Sequence, residues 1–127
     1  GWGSAGPVHA FEAPASARAP GEVAARRALT ERPTPDALLA LSDPLALGAL
    51  DAAAHLGLRV PGDVSVAGVD DLPGSDAAGL TTVFVPYRPM GDLAGTLLAA
   101  AMEAGAPPPS PPPLPTTLAI RATTGRS

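Results

Sequence analysis

"LLALSDPLALGALDAAAHLGLRVPGDVSVAGVDDLP", Leu38 to Pro73, is the stretch whose reading decides the fold. Its two ends are apolar runs, and its centre carries Leu45, Ala49, Leu50, Ala53 and Leu56 on one helical face, so it reads as strand, helix, strand. The helix signals are strong: Asp43 is suited to cap the N-terminus, Pro44 fits the first helical position, and Gly57 suits the left-handed residue that closes a helix. Both strands run into acidic residues, Asp43 after the first and Asp70-Asp71 after the second. The second run, "DVSVAGVDD", is apolar enough to be covered on both faces, as parallel strands are.

Working outward, the alternation continues. "PVHAFEAP" (Pro7 to Pro14) reads as a short strand and "GEVAARRALTER" as a helix that "PTP" stops. Downstream, "LTTVFVPY" is a third strand, and a second long helix is expected from Pro89 to Glu103, with Met90, Leu93, Leu97, Leu98 and Met102 along one stripe. A proline-rich connection, Ala106 to Pro115, leads to a closing strand in "TTLAIRA". Strands and helices in this order predict an α/β domain with a mainly parallel sheet. Ligands of such sheets bind beyond the carboxyl ends of the strands, which puts Asp43 and Asp70 on the expected rim.

Composition removes several chemistries. The 127 residues contain no cysteine, which excludes disulfides and thiolate metal sites, and all 8 basic residues are arginine. Without lysine there is no Schiff-base catalysis, no phosphate-loop lysine and no receiver-domain lysine. A net charge of −4 with no basic patch offers no electrostatic footprint for DNA. Nothing in the sequence reads as a membrane span. The opening "GWGSAGPVHAFEAP" has neither the basic start nor the apolar run of a signal peptide, so a cytoplasmic location is the expectation.

Three segments together, "ALSDPLALGAL", "GLRVPGDVSVAGVDD" and "LTTVFVPYRPMG", resemble the C-terminal half of the effector-binding domain of LacI/GalR-type transcriptional regulators. Gly21 to Asp43 spans 22 positions and Asp43 to Asp70 spans 27, the intervals the family shows between the same landmarks. The resemblance implies a Rossmann-like, parallel-sheet lobe of the periplasmic-binding-protein-like type I fold, with the first lobe and the helix-turn-helix headpiece lying outside these residues. It divides the chain into a poorly defined segment 1–11 and the C-terminal part of the effector domain, 12–127. Within the latter, 12–83 and 115–127 form the second lobe, and 84–114 a helix and proline-rich connection. The implied partner is a small-molecule effector, a sugar above all, bound in the cleft between lobes. The resemblance further implies a homodimer, DNA contact only through the headpiece, no cofactor, no metal and no membrane. A sugar receptor of periplasmic type, or a truncated chain without ligand activity, are the alternatives.

Carried over by position, Asp70 matches the family carboxylate that grips the effector, and an ionised Asp, which only accepts, suits two sugar hydroxyls. Ser42 matches a cleft-facing position often occupied by Asn. Ser16 falls where relatives place an aromatic or Asn, and a serine cannot stack. Asp43 reads as a structural cap near the site and Asp71 as a turn former. His55 suits a helix C-terminus, His9 the surface, and two isolated histidines make no metal site. Trp2 lies outside the match. An enzyme is not expected: Asp70 and Asp71, adjacent on a strand, point to opposite faces, and no nucleophile constellation is present. Because the helix from Pro89 docks in the family on the first lobe, its stripe is expected to be exposed or to associate with a second copy.

Overall fold

The computed structural model describes residues 7–31 and 34–125. Its elements are α1 (Arg18–Thr30), β1 (Ala37–Leu39), α2 (Asp43–His55), β2 (Ser65–Asp70), β3 (Thr81–Phe84), α3 (Tyr87–Ala104) and β4 (Thr117–Ala119). The four strands form one sheet in the order β1-β2-β3-β4, parallel except for the last pair. The expected α/β architecture with a mainly parallel sheet is the one that forms.

Helix α1 begins earlier than the sequence suggests, at Arg18. Pro20 in its first turn is no obstacle, because the first N–H groups of a helix have no intrahelical acceptor anyway. It buries Gly21, Ala25, Ala28 and Leu29, one face at helical spacing, against α2. Small residues let the two backbones come close: a side chain at Gly21 would meet the Leu45 carbonyl oxygen at 2.6 Å, and one at Gly48 would strike the backbone of Arg18. Ion pairs flank the contact. Arg18 grips Asp51 at 2.6 Å and 2.7 Å, and Glu22 takes both Arg26 and, from α2, His55 at 3.0 Å. The His55 expected to serve its own helix C-terminus thus also ties the two helices together.

Under the helices lies a core of Ala25, Leu29, Ala46, Ala49, Ala52, Ala53, Val64, Val66 and Leu80, built mostly from alanine. Helix α2 ends as expected, with Gly57 at φ +69 following the Leu56 cap. The far face of the sheet is barely covered, leaving Leu39, Leu118 and Ile120 60–73% exposed.

Two expectations are corrected. Residues Pro7 to Pro14 form no strand: Val8 is 94% exposed and the run makes no ladder. An extended segment becomes a strand only through a neighbour's hydrogen bonds, and prolines at both ends each lack an N–H to donate. The long C-terminal helix starts at Tyr87, two residues before Pro89, since that proline also falls within the first turn. It ends at Gly105 with φ +64 and buries none of its residues. Leu93 and Leu97 are half-buried along a groove floored by Ser110, Pro111, Pro112, Pro113 and Leu114, while Leu98 and Met102 are 64% and 76% exposed. The expected open stripe is present in part, at Met90, Leu98 and Met102.

Candidate functional site

The rim is built by the residues that come after β1, β2 and β3. In register, Leu39 pairs with Ala67 and Asp70 with Phe84. Ser42 follows the end of β1 by three residues, and Asp70 is the last residue of the neighbouring β2.

At the first strand end, Ser42 is the N-cap residue of α2, but its hydroxyl makes no cap bond. It bonds instead to Ser16, Oγ to Oγ at 2.6 Å. Two candidate residues 26 positions apart in sequence are therefore joined; Ser42 is buried and Ser16 exposed.

Asp43 does not act as a cap, contrary to expectation. Its side chain is 1% exposed and accepts from the Leu72 N–H at 2.9 Å, the Ser75 hydroxyl at 2.5 Å and the Thr82 hydroxyl at 2.5 Å. The reason is the link between β2 and β3. Parallel neighbours need a return crossing, usually through a helix. Here a ten-residue connection, 71–80, with turns over 73–79, does it, and the buried carboxylate ties that loop to α2 and to β3. Three donors on a desolvated acceptor outweigh one cap bond. Gly68 leaves the room, since a side chain there would run into Asp43 Oδ1. The pattern Asp-Pro before a helix carries no trace of this role; its partners lie 29 to 39 residues away.

Asp70 ends β2, an inner strand, with φ +120, and Asp71 comes next at φ +57. Successive non-glycine residues at positive φ are costly, about 1–3 kcal/mol each, and persist only where the surroundings impose them. The reversal parts the two acids. Asp71 turns to Arg121 in an ion pair of 2.8 Å, and Arg121 also donates to the Leu80 carbonyl at 2.8 Å. A shallow cavity of about 300 Å³ lies there, lined by Asp71, Leu72, Pro73, Asp76 and Arg121. Asp70 is not among its walls. Its carboxylate instead accepts the hydroxyl of Tyr87, the first residue of α3. That bond to a carboxylate holds the phenol proton, so Tyr87 titrates above its ordinary 10.0. Sequence reasoning does not single out Tyr87, because "VPYRP" reads as a strand end and then a helix start. The only available signal is that it is the chain's single tyrosine beside a strand end.

Among the described residues, no group of three or more His, Asp or Glu could hold a metal ion, and no helix is long and apolar enough to cross a membrane.

Residues 4–124 match the family described as a periplasmic binding protein-like domain. The ribose operon repressor of Halalkalibacterium halodurans is 37% identical over 101 residues, covering 77% of this chain and 30% of the repressor. An HTH-type transcriptional regulator of Mycobacterium tuberculosis is 40% identical over 87 residues, 68% of this chain and 24% of that protein. Among solved structures, a LacI family transcriptional regulator from Arthrobacter sp. FB24, in complex with lactose, superposes with a TM-score of 0.73 at 31% identity, covering 86% of this chain and 42% of that one. The chain thus spans about a quarter to a third of these curated relatives.

Proposed function

The chain belongs to the periplasmic binding protein-like domain family, as part of the effector-binding domain found in LacI-type transcriptional regulators, and we propose that it senses a sugar at the rim formed by β1, β2 and β3. Asp70 is the principal acceptor in this reading, with Ser42 and Ser16 beside it. The observation that carries the proposal is Asp70 itself: a carboxylate at an inner strand's carboxyl end, in a costly backbone conformation, with Tyr87 its one side-chain partner among the described residues. One carboxylate oxygen remains for a ligand hydroxyl, and a charged acceptor contributes about 1.5–3 kcal/mol per hydrogen bond.

The second lobe in this reading comprises 12–83 and 115–127, with 84–114 as the connecting helix and proline-rich return. DNA binding belongs to a separate headpiece, the working protein is a cytoplasmic homodimer, and the site performs recognition without catalysis. The share of each relative that the chain covers, 24% and 30%, suits one lobe of a larger regulator.

Calorimetric titration with lactose, sucrose and ribose tests the assignment. At least one sugar is expected to bind, and Asp70→Asn is expected to weaken it about tenfold to a hundredfold. Binding of none, or an Asp70→Asn variant that binds as the parent does, removes the proposal.

A further inference from the structure

The proline-rich return from α3 to β4 has no part in the sugar site, and we infer that its outer face is a docking strip for a second protein, one that presents a groove of parallel Trp and Tyr rings. Residues 106–115 hold seven prolines in ten positions. Proline fixes its own φ at about −65° and disfavours the helical region for the residue before it. The run is therefore held in the extended polyproline geometry, with three residues per turn and about 3.1 Å per residue. Ten such residues reach about 31 Å, and the 18 residues of α3 rise about 27 Å. The two lengths match, so the return runs back along α3, and the two share a groove.

A threefold repeat sorts these residues into rows. Pro108 and Leu114, two turns apart, are the half-buried members, and with Pro111 on the groove wall they mark the row turned to α3. Pro109, Pro112 and Pro115 form the next row, all exposed, at intervals of about 9 Å. Ser110, Pro112 and Pro113 also border the groove, yet remain exposed. Bridging from α3 to β4 needs only the reach; it does not call for proline along the outer row.

The chemistry of the strip specifies the partner. Seven positions lack an N–H, so the strip offers carbonyl acceptors and few donors, and residues 106–115 make no backbone hydrogen bond to the rest of the described chain. No charge lies between Glu103 and Arg121. A flat, apolar, acceptor-rich surface is matched by aromatic rings that carry a donor at the edge, those of Trp and Tyr, and a run fixed in advance loses little entropy when bound. The chain's own Tyr87 is committed elsewhere, its hydroxyl donating to Asp70.

Titration of the chain into an isotope-labelled WW domain and an isotope-labelled SH3 domain, which take proline-rich segments in aromatic-lined grooves, tests the inference. At least one is expected to bind, with shifts confined to its aromatic groove and, since the strip carries no charge, about equally at low and high salt. The double variant Pro109→Ala, Pro112→Ala is expected to weaken that binding about tenfold, and Pro108→Ala, Pro111→Ala, on the row facing α3, less than about twofold. Urea midpoints equal to the parent's show that both variants fold. Each pair removes the same stiffness, so equal losses mean that the outer row is not what the partner reads, and overturn the inference. Binding by neither domain, or binding lost on raising the salt, overturns it as well.

Discussion

Helices α2 and α3 make a direct comparison. Both are apolar along one face and both end at a left-handed glycine, yet the 13-residue α2 buries six of its residues and the 18-residue α3 buries none. The difference lies in the surface each face meets. The alanines and glycine of α2 allow α1 to approach to backbone contact on one side and the sheet on the other, so small residues produce a dense core. The larger side chains of α3 only line an open groove, shared with Val85, Pro86 and the proline-rich return. An apolar stripe states that a helix can be buried; only a second surface buries it.

The largest effect is expected where the well-packed half depends on a single group. Asp43→Ala leaves the Leu72 N–H and the hydroxyls of Ser75 and Thr82 without their buried acceptor, and at about 1–3 kcal/mol for each unsatisfied donor should lower stability markedly, read as the shift in urea midpoint. A loss below about 1 kcal/mol would show that the β2–β3 loop is held by other contacts.

A charge on the open half should do the reverse. Leu98→Glu, at a side chain 64% exposed, is expected to leave the unfolding midpoint within about 0.5 kcal/mol of the parent. In sedimentation equilibrium the parent should gain mass with concentration and the variant should not. A pronounced fall in stability would mean that α3 is packed more tightly in solution than its exposure implies.

The smallest effect belongs to the surface of the packed half. Arg59 closes on Asp63 through its backbone N–H and guanidinium, at 2.7–3.0 Å, and the carboxyl is held down to about 2. A carboxyl whose folded value is depressed from 3.8 contributes fully above 3.8 and loses its contribution as pH falls toward 2. The pair lies at the surface, so screening keeps the effect small. Carboxyl-carbon chemical shifts should follow Asp63 titrating near 2 in the parent and returning toward 3.8 in Arg59→Ala; no return would place the cause in the backbone N–H alone.

Much of the fold is legible in the sequence because it rests on short-range signals. The periodicities from Leu38 to Pro73, the glycine at 57 and the β-branched run at Thr81 each act within a turn or a strand, and each gives the element that forms. Both α1 and α3 start ahead of the positions their prolines suggest, because a proline is tolerated throughout a first turn and so marks a helix start only to within a turn. The strand at Pro7 to Pro14 fails for the opposite reason, since strand character belongs to a pair and the run has no partner.

For the site, the sequence by itself determined that Asp70 stands at a strand's end and that Ser42 precedes a helix, because chain connectivity alone fixes which residues border an element. Which groups those side chains meet was decided only by the tertiary structure. The Asp43 side chain was turned to the β2–β3 loop, Ser16 was brought to Ser42, Asp71 was turned to Arg121, and Tyr87 was set on Asp70. Each pairing joins residues 17 to 50 positions apart. Hydrogen bonds and ion pairs act over a few ångströms, and at such separations only the packed chain fixes those distances.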